Sequence, residues 1–493
     1  MQQDTLERLE LSLENGFRLH GDRQALTIQH GRQPLIRLPI WPREVDGKNA
    51  EPRLEPNKLD LRSGRECVSL TIEHDAICWQ FESSREVFDT LACFVGGWID
   101  ARQWHTFVFN GHDRVWDASE AAAVQIKSCN EVIGEVRGNW FGNVPPRVAA
   151  FDLGEAGWMA VSIPAALSVA ETTFRFHNGA FGLELHGYRP TAEAGPLRVY
   201  LRPGLASPED ALEFHSQVTR ALGYWRDRAN HPAWWALPRW GMYDENCHAG
   251  QTSLDAPDAQ RSPLTAQRVR DWVEQVRHVT GLEEFFVFFD QGYFRRYGEY
   301  TPVDSLEGVE GFRRLIDTMR QRGVRTGLYC HPFHVDLGIP QVAAHPEWLV
   351  RGHELSAPPV SSDMRLASLD WTHPEARRYM QEVVRRLVSP EPGCLNADWL
   401  MVNNNHVPDP RACRLHDPSW GVGDRMAYLV RKSIYETAKR HKPDVLVSFI
   451  GCDPFCRRRP TCSGSMSRGA KAATTGTGWP APSAVACPAR CWR

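Results

Sequence analysis

Over its first 200 residues the chain alternates apolar and polar positions in short bursts. RLELSLENGFRLHG, QALTIQH, CVSLTIEH, AICWQFE, HTFVFNG, GWMAVSI, TFRFHNG, FGLELHG and LRVYLRP each carry a stretch of β character and end at Gly, Asn, His or Pro. A period of two with turns at regular spacing predicts an antiparallel β-sandwich over residues 1–206. At Ser207 the period changes. A serine cap, a proline in the first turn, two acids and then apolar residues at helical spacing predict a helical linker over residues 207–233. From Pro238 the pattern alternates strand with helix. Predicted strands cover Arg239–Asp244, Glu284–Asp290, Val324–Cys330, Ala397–Asn404 and Asp444–Ile450, and predicted helices cover Thr265–Val279, Gly308–Gln321, Pro374–Val388 and Asp424–His441. Strands separated by helices of this length are joined by right-handed crossovers into a parallel sheet, whose natural closure is a (β/α)8 barrel of TIM type. The pattern shows the first five strands of such a barrel within residues 234–456, so the barrel is expected to be incomplete.

The character of the chain breaks after Phe455. Residues 457–493 hold seven basic residues and no acidic one, no Leu, Ile, Phe or Tyr, and a single Val. So little apolar surface cannot offset the entropy of ordering the segment. Because the change is abrupt, inside what should be the loop after the fifth strand, residues 457–493 read as a shifted reading frame. The plainer alternative is a disordered basic tail.

Composition narrows the function classes. A net charge of -3 with 24% charged residues gives no basic field for nucleic acid. The opening MQQDTLERLELSLENGF is polar and acidic where a secretory signal would be basic and then apolar, and no apolar run approaches the length of a membrane span, so a soluble cytoplasmic protein without membrane contact is expected. Thirteen cysteines without regular spacing, with Cys67, Cys78, Cys93, Cys129 and Cys330 in strand-like apolar runs, read as buried reduced thiols. No Gly-rich phosphate loop, nucleophile elbow or paired CxxC site is present, so no cofactor is implied.

The chemistry concentrates between Gly327 and Trp348, in GLYCHPFHV and AHPEW. There a β-branched and apolar run breaks at His331-Pro332, as when a buried parallel strand delivers side chains to a barrel rim. FFVFFDQGYF, SLDWTHPEARRYM and DWLMVNNNH share this character. In their joint order, from about Trp234 to Phe455, these blocks resemble the catalytic barrel of family 36 α-galactosidases and, less closely, family 31 α-glucosidases. The resemblance implies a retaining α-glycosidase acting on terminal hexoses, with a β-sandwich ahead of the barrel and a nucleophilic aspartate at the tip of strand four.

Several positions of this sequence depart from the family pattern. Asn403 stands at the nucleophile position, Met401 replaces a lysine, Gln291 replaces the second of two sugar-binding aspartates while Asp290 is kept, and His331 replaces a glutamate. Asn405 matches an asparagine of the pattern, and Tyr243 and Asp244 belong to an acidic cluster at the end of strand one. The substrate-binding candidates are therefore Tyr243, Asp244, Asp290, Gln291, His331, Met401 and Asn405. An amide at position 403 matches a carboxylate in shape but has no charge to stabilise an oxocarbenium ion and no competent nucleophilic oxygen. Asp398 falls too early to replace it, Asp409 and Asp417 sit in turn-like sequence, and the acid/base residue cannot be named. A metal held by His331, His334, Asp336, His345, His406 and His416 is a weaker reading than local hydrogen bonding, so no metal is assigned. Trp98, Trp104, Trp116 and Trp140 either stack on sugar or, more simply, fill the sandwich interior.

Two function classes stay open: a glycoside hydrolase whose catalytic site is altered, and a catalytically inactive carbohydrate-binding relative. For the tail the expected outcome is specific. Resequencing the locus should reveal a shifted frame near codon 456, and an uninterrupted frame confirmed through residue 493 would overturn the frameshift.

Overall fold

A computed structural model of the chain describes residues 9–13, 16–85, 88–106, 114–117, 124–127, 132–133, 147–164, 171–189, 195–222, 231–241, 264–290, 292–351, 365–402, 414–420 and 424–449. The chain divides into two compact units, one formed mainly by residues up to 226 and the other mainly by residues 227–420 and 429–452. The protein is thus a multidomain β plus α/β molecule.

Among the described residues, the first unit contains two antiparallel sheets of nine strands each. Alternation along the strands explains them. Phe17–Gly21 buries Phe17 and Leu19 and exposes Arg18, while Lys58–Ser63 buries Leu59 and Leu61. The inward rows of both sheets meet in one core. Trp79 meets Phe94 at 5.1 Å, Trp104 meets Phe176 at 5.8 Å and Phe151 meets Phe181 at 5.5 Å between ring centres, each pair joining one sheet to the other. Trp104, 1% exposed, therefore fills the interior and cannot stack on a sugar, whereas Trp98 is 41% exposed. Trp140 and the side chain of Trp116 lie outside the described residues. The segment expected to join the halves forms helix α1 (Glu209–Ala221), started by reciprocal bonds. Ser207 Oγ accepts from the Asp210 amide at 3.3 Å, and the Asp210 carboxylate accepts from the Ser207 amide at 2.9 Å. Its apolar face, Ala211, Phe214 and Val218, packs on Cys78, Ala150, Ala160 and Tyr200 of the second sheet.

The second unit is a parallel sheet in strictly sequential order: β1 (Arg239–Gly241), β2 (Phe285–Phe289), β3 (Val324–Cys330), β4 (Trp399–Val402) and β5 (Leu446–Phe449). Helices α2 (Ala266–Thr280), α3 (Gly308–Gln321), α4 (Pro374–Val388) and α5 (Asp424–His441) alternate with the strands. Local chemistry sets their ends. Thr265 Oγ1 accepts from the Arg268 amide at 3.2 Å to start α2, and Gly281, at φ 69°, returns its amide to Arg277 O at 2.8 Å to stop it. Every residue of β2 is buried, as expected of a parallel strand covered on both faces.

Two neighbouring residues join these strands. The Trp399 indole lies against the backbone of Gly327, where an added Cβ would come within 2.3 Å of the ring. It also meets Phe286 at 5.6 Å and Phe288 at 5.0 Å, lies under the Arg239 guanidinium at 5.0 Å, and donates from Nε1 to Ser448 Oγ at 2.7 Å. One side chain on β4 thereby touches all four other strands. Asp398, immediately before it, is 1% exposed. Its carboxylate accepts from Arg320 Nε at 3.0 Å, Lys442 Nζ at 3.0 Å and the Thr326 amide at 3.2 Å, with Arg325 at 3.5 Å. Lys442 also donates to Asn396 O, Asn396 Oδ1 and Ala397 O.

Cys78, Cys93, Cys330 and Cys394 are buried free thiols, and Cys67 is a partly buried one. Among the described residues no helix is long and apolar enough to cross a membrane.

Burial alone would raise the Asp398 pKa, but Lys442 and Arg320 more than offset it and hold the carboxyl below its ordinary range. The resulting stability is fully present above the unfolded pKa of about 3.9 and is lost as pH falls through the lower folded value. Asp398→Ala should cost about 3 kcal/mol by stranding the buried Lys442 ammonium and unpairing the partly buried Arg320. Thermal melts followed from neutral pH to about pH 2 should also show a shallower acid limb for the variant. An unchanged melting temperature would refute the role given to this carboxylate.

Candidate functional site at the strand ends

Parallel α/β sheets gather their chemistry at the carboxyl ends of the strands, where side chains leave the sheet together. β2 and β3 are hydrogen-bonded neighbours, with Phe289 opposite Leu328. The first residue beyond β2 is Asp290, 8% exposed, and the first beyond β3 is His331, 1% exposed. The structure therefore brings two of the expected site residues to adjacent strand ends. Met401 lies one residue inside the end of β4, buried and opposite Tyr329 and Ser448. Tyr243, Asp244, Gln291, Asn403 and Asn405 lie outside the described residues.

His331 is fixed on every side that the backbone can reach. Its Nδ1 accepts from the amides of Phe333 and His334, both at 3.2 Å. Its ring stacks on His334 with centres 3.8 Å apart and planes inclined by 15°. Tyr297 meets both rings edge-on, at 5.9 Å and 6.3 Å. From the loop after β2, Tyr300 Oη donates to His331 O at 2.8 Å and accepts from His331 N at 2.7 Å. Tyr293 of the same loop donates to Tyr329 O at 2.8 Å. The Cys330 thiol beneath this layer is pushed up to about 12 by burial, so it stays protonated and is no nucleophile.

A second group of contacts shapes the long connection between β3 and α4. Strands His334–Asp336 and Leu366–Ser368 pair antiparallel. Asp336, 0% exposed, takes an ion pair from Arg296 and accepts on Oδ1 from the amides of Gly338 at 2.8 Å and Arg365 at 3.2 Å. Gly298, at φ 89°, passes so close to Val335 that a Cβ there would come within 2.7 Å of Cγ1. Arg296 and Gly298 thus interlock the loop after β2 with the loop after β3. Farther along, Asp370 Oδ1 accepts from the Thr372 amide at 2.9 Å and its Oδ2 from the His416 amide at 2.7 Å, while Thr372 Oγ1 accepts from the Asp417 amide at 2.9 Å. These bonds attach the described end of the β4–α5 connection to the segment ahead of α4.

The remaining candidates resolve into local roles. Asp398 lies at the amino end of β4, inside the ion cluster, away from the strand's carboxyl end. Asp417 accepts from the amide and hydroxyl of Ser419 at 2.9 Å and 2.6 Å, which is turn chemistry and lowers its pKa. His345 bonds Glu347 at 2.7 Å and stacks on Trp348, and His416 lies 4.5 Å from His373 between ring centres. Asp409 and His406 lie outside the described residues. Among the described residues no three His, Cys, Asp or Glu side chains are arranged to hold a metal ion.

Sequence reasoning singled out His331 and Asp290, and weighed Asp336 only as a metal ligand, but missed Tyr300, Arg296 and Asp370 among the groups that shape the rim. The tyrosine-rich run GYFRRYGEY carried the only usable signal, since buried tyrosines need hydroxyl partners. Arg296→Ala should strand the buried Asp336 carboxylate, cost about 3 kcal/mol and unfasten the loop after β2. Faster amide hydrogen exchange over residues 334–338 checks this, and unaltered exchange there would refute it.

No protein-family model matches the chain, and neither does any curated protein. Solved structures do. One is the alpha-N-acetylgalactosaminidase NagBb from Bifidobacterium bifidum in complex with GalNAc, at a TM-score of 0.58 and 14% identity over 90% of this chain and 76% of that one. Another is a GH31 family sulfoquinovosidase from E. rectale with the aza-sugar inhibitor IFGSQ, at a TM-score of 0.51 and 9% identity over 89% of this chain and 67% of that one. At these identities the likeness is one of fold, a glycoside hydrolase-like fold.

Proposed function

We propose that this chain is a carbohydrate-acting protein of the retaining α-glycosidase type, with a site for a terminal hexose at the carboxyl ends of β1 to β4. The observation that carries the reading is the placement of Asp290 and His331, the first residues beyond two neighbouring parallel strands. The solved structures of like fold add support, because one holds GalNAc and the other an aza-sugar inhibitor. We take the five sequential strands as the first five of a (β/α)8 barrel, and Tyr243, Asp244, Gln291, Met401 and Asn405 as further parts of its rim.

Double displacement on an α-glycoside needs two carboxyl groups about 5 Å apart, one to attack the anomeric carbon and one to pass a proton to the leaving oxygen and later remove one from water. Asp290 is assigned to sugar hydroxyls, where an ionised carboxylate accepts two hydrogen bonds. Asn403, at the nucleophile position, offers an amide that can donate and accept hydrogen bonds but cannot form the glycosyl ester. That substitution favours a second reading, in which the site binds a sugar without cleaving it.

Calorimetry with galactosides and glucosides, run beside p-nitrophenyl α-glycoside assays, separates the two readings. Sugar binding should be detectable without turnover, and Asn403→Asp alone should restore little turnover, because double displacement also needs the second carboxyl group. Asp290→Ala should abolish binding. A chain that binds none of these sugars would sink the proposal, and robust wild-type turnover would sink the binding-only reading.

A further inference from the structure

We propose that the cleft between one face of α4 and the segment around Trp348 is a second ligand site, which takes a small hydroxylated carboxylate of the size of a hexuronate. It shares no residue with the strand-end site and stands whether or not that site binds a sugar.

The helical period builds the cleft. Glu375, Arg378, Tyr379, Glu382 and Arg386 recur at spacings of three and four along α4 and so form one stripe, and Gln341 and Trp348 of the β3–α4 connection line the cleft with it. The enclosed volume is about 540 Å³, enough for a small organic molecule. Trp348 and Tyr379, 4% and 9% exposed with ring centres 5.5 Å apart, form the floor. Gln341, Glu375, Arg378 and Glu382 are exposed and form the rim.

Floor and rim ask for opposite partners. The Nε1–H of Trp348 and the Nε–H of Arg386 are buried without an acceptor, and both side chains line the cleft. Each of these groups can only donate, so the inner part of the cleft lacks acceptor oxygens. Charge points the same way. Glu375 accepts from Arg378 at 3.0 Å, and Glu382 accepts from two nitrogens of Arg385 at 2.6 and 2.7 Å, so both acids are already paired. Arg386 forms no ion pair among the described residues, and it donates to Glu299 O at 3.5 Å. A carboxylate supplies the missing acceptors and the missing negative charge together. At the rim, the carboxylates of Glu375 and Glu382 and the amide oxygen of Gln341 have lone pairs to offer hydroxyl groups. A neutral sugar brings hydroxyls without charge, and inorganic phosphate brings charge to a rim that offers acceptors. A hydroxylated carboxylate meets both parts. The Tyr379 phenol, pushed up to about 12 by burial, keeps its proton at neutral pH and adds no charge to repel such an anion.

The test titrates the full chain by calorimetry with sodium galacturonate, galactose and inorganic phosphate, in the wild type and in Asp290→Ala, where the strand-end site no longer contributes. Galacturonate should bind both chains, and galactose and phosphate should bind Asp290→Ala at least about tenfold more weakly than galacturonate does. Arg386→Met added to Asp290→Ala should weaken galacturonate at least about tenfold. In 15N-tryptophan-labelled Asp290→Ala chain, the indole resonance that disappears in Trp348→Phe should move on adding galacturonate and stay in place with galactose. That readout decides the matter even where Arg386→Met fails to fold. Galacturonate that does not bind Asp290→Ala, that binds the Arg386→Met variant unweakened, or that leaves the Trp348 indole unmoved would overturn the proposal. Galactose or phosphate binding as tightly as galacturonate would overturn the ligand class. A wild-type chain that binds methyl α-galactoside and not galacturonate fails this site alone and leaves the strand-end reading intact.

Discussion

The second unit depends on a negative charge buried where a lone charge could not persist. Asp398 is reached by Arg320 from the end of α3, by Arg325 and the Thr326 amide from β3, and by Lys442 from just before β5. Each of those elements is apolar where it packs, and apolar packing alone tolerates sliding. A carboxylate that must keep its cations to be tolerated does not, because any slip of β4 against β3 leaves ions unpaired in a dry interior. The strand register that follows, Gly327 beside Trp399 and Cys330 beside Val402, carries that constraint forward to the residues at the strand ends.

The two ends of the sheet are held by different chemistry. At the amino end, full charges meet at hydrogen-bonding distance. At the carboxyl end, the residues next to the strands are held by neutral groups, namely tyrosine hydroxyls, backbone amides and the Nδ1 of an imidazole, while the loops beyond them are fastened by the Asp336–Arg296 ion pair and the Asp370 carboxylate. Hydrogen bonds between neutral partners contribute individually about 1 kcal/mol, so the strand ends themselves are specified by many small terms where the base is specified by a few large ones. Such a division leaves the mouth of the sheet able to change its side chains while the scaffold stays in register.

Much of this architecture was legible in the sequence, for reasons that differ by element. Gly308–Gln321 and Pro374–Val388 were readable to the residue, because a long amphipathic period bounded by Gly, or by His-Pro, leaves little freedom. Val324–Cys330 was readable to the residue too, whereas Glu284–Asp290 was one residue too long at each end against Phe285–Phe289, since hydrophobicity does not record where pairing stops. Asp290 and His331 were found because they break apolar runs. Tyr300 was not, because its left-handed φ of 55° leaves no mark in a sequence unless the residue is glycine or asparagine. The Asp336–Arg296 pair was also hidden, since its members are 40 positions apart and each looks like an ordinary loop charge.

The fit of Trp399 against Gly327 has a further consequence for how such chains can diverge. The indole takes the volume that a side chain at 327 would need, and it is itself hemmed in by Phe286, Phe288, Arg239 and Ser448. Neither position can therefore drift on its own: a larger residue at 327 demands a smaller one at 399 in the same lineage. Descendants of this chain should carry the two as a linked pair, inherited or exchanged together.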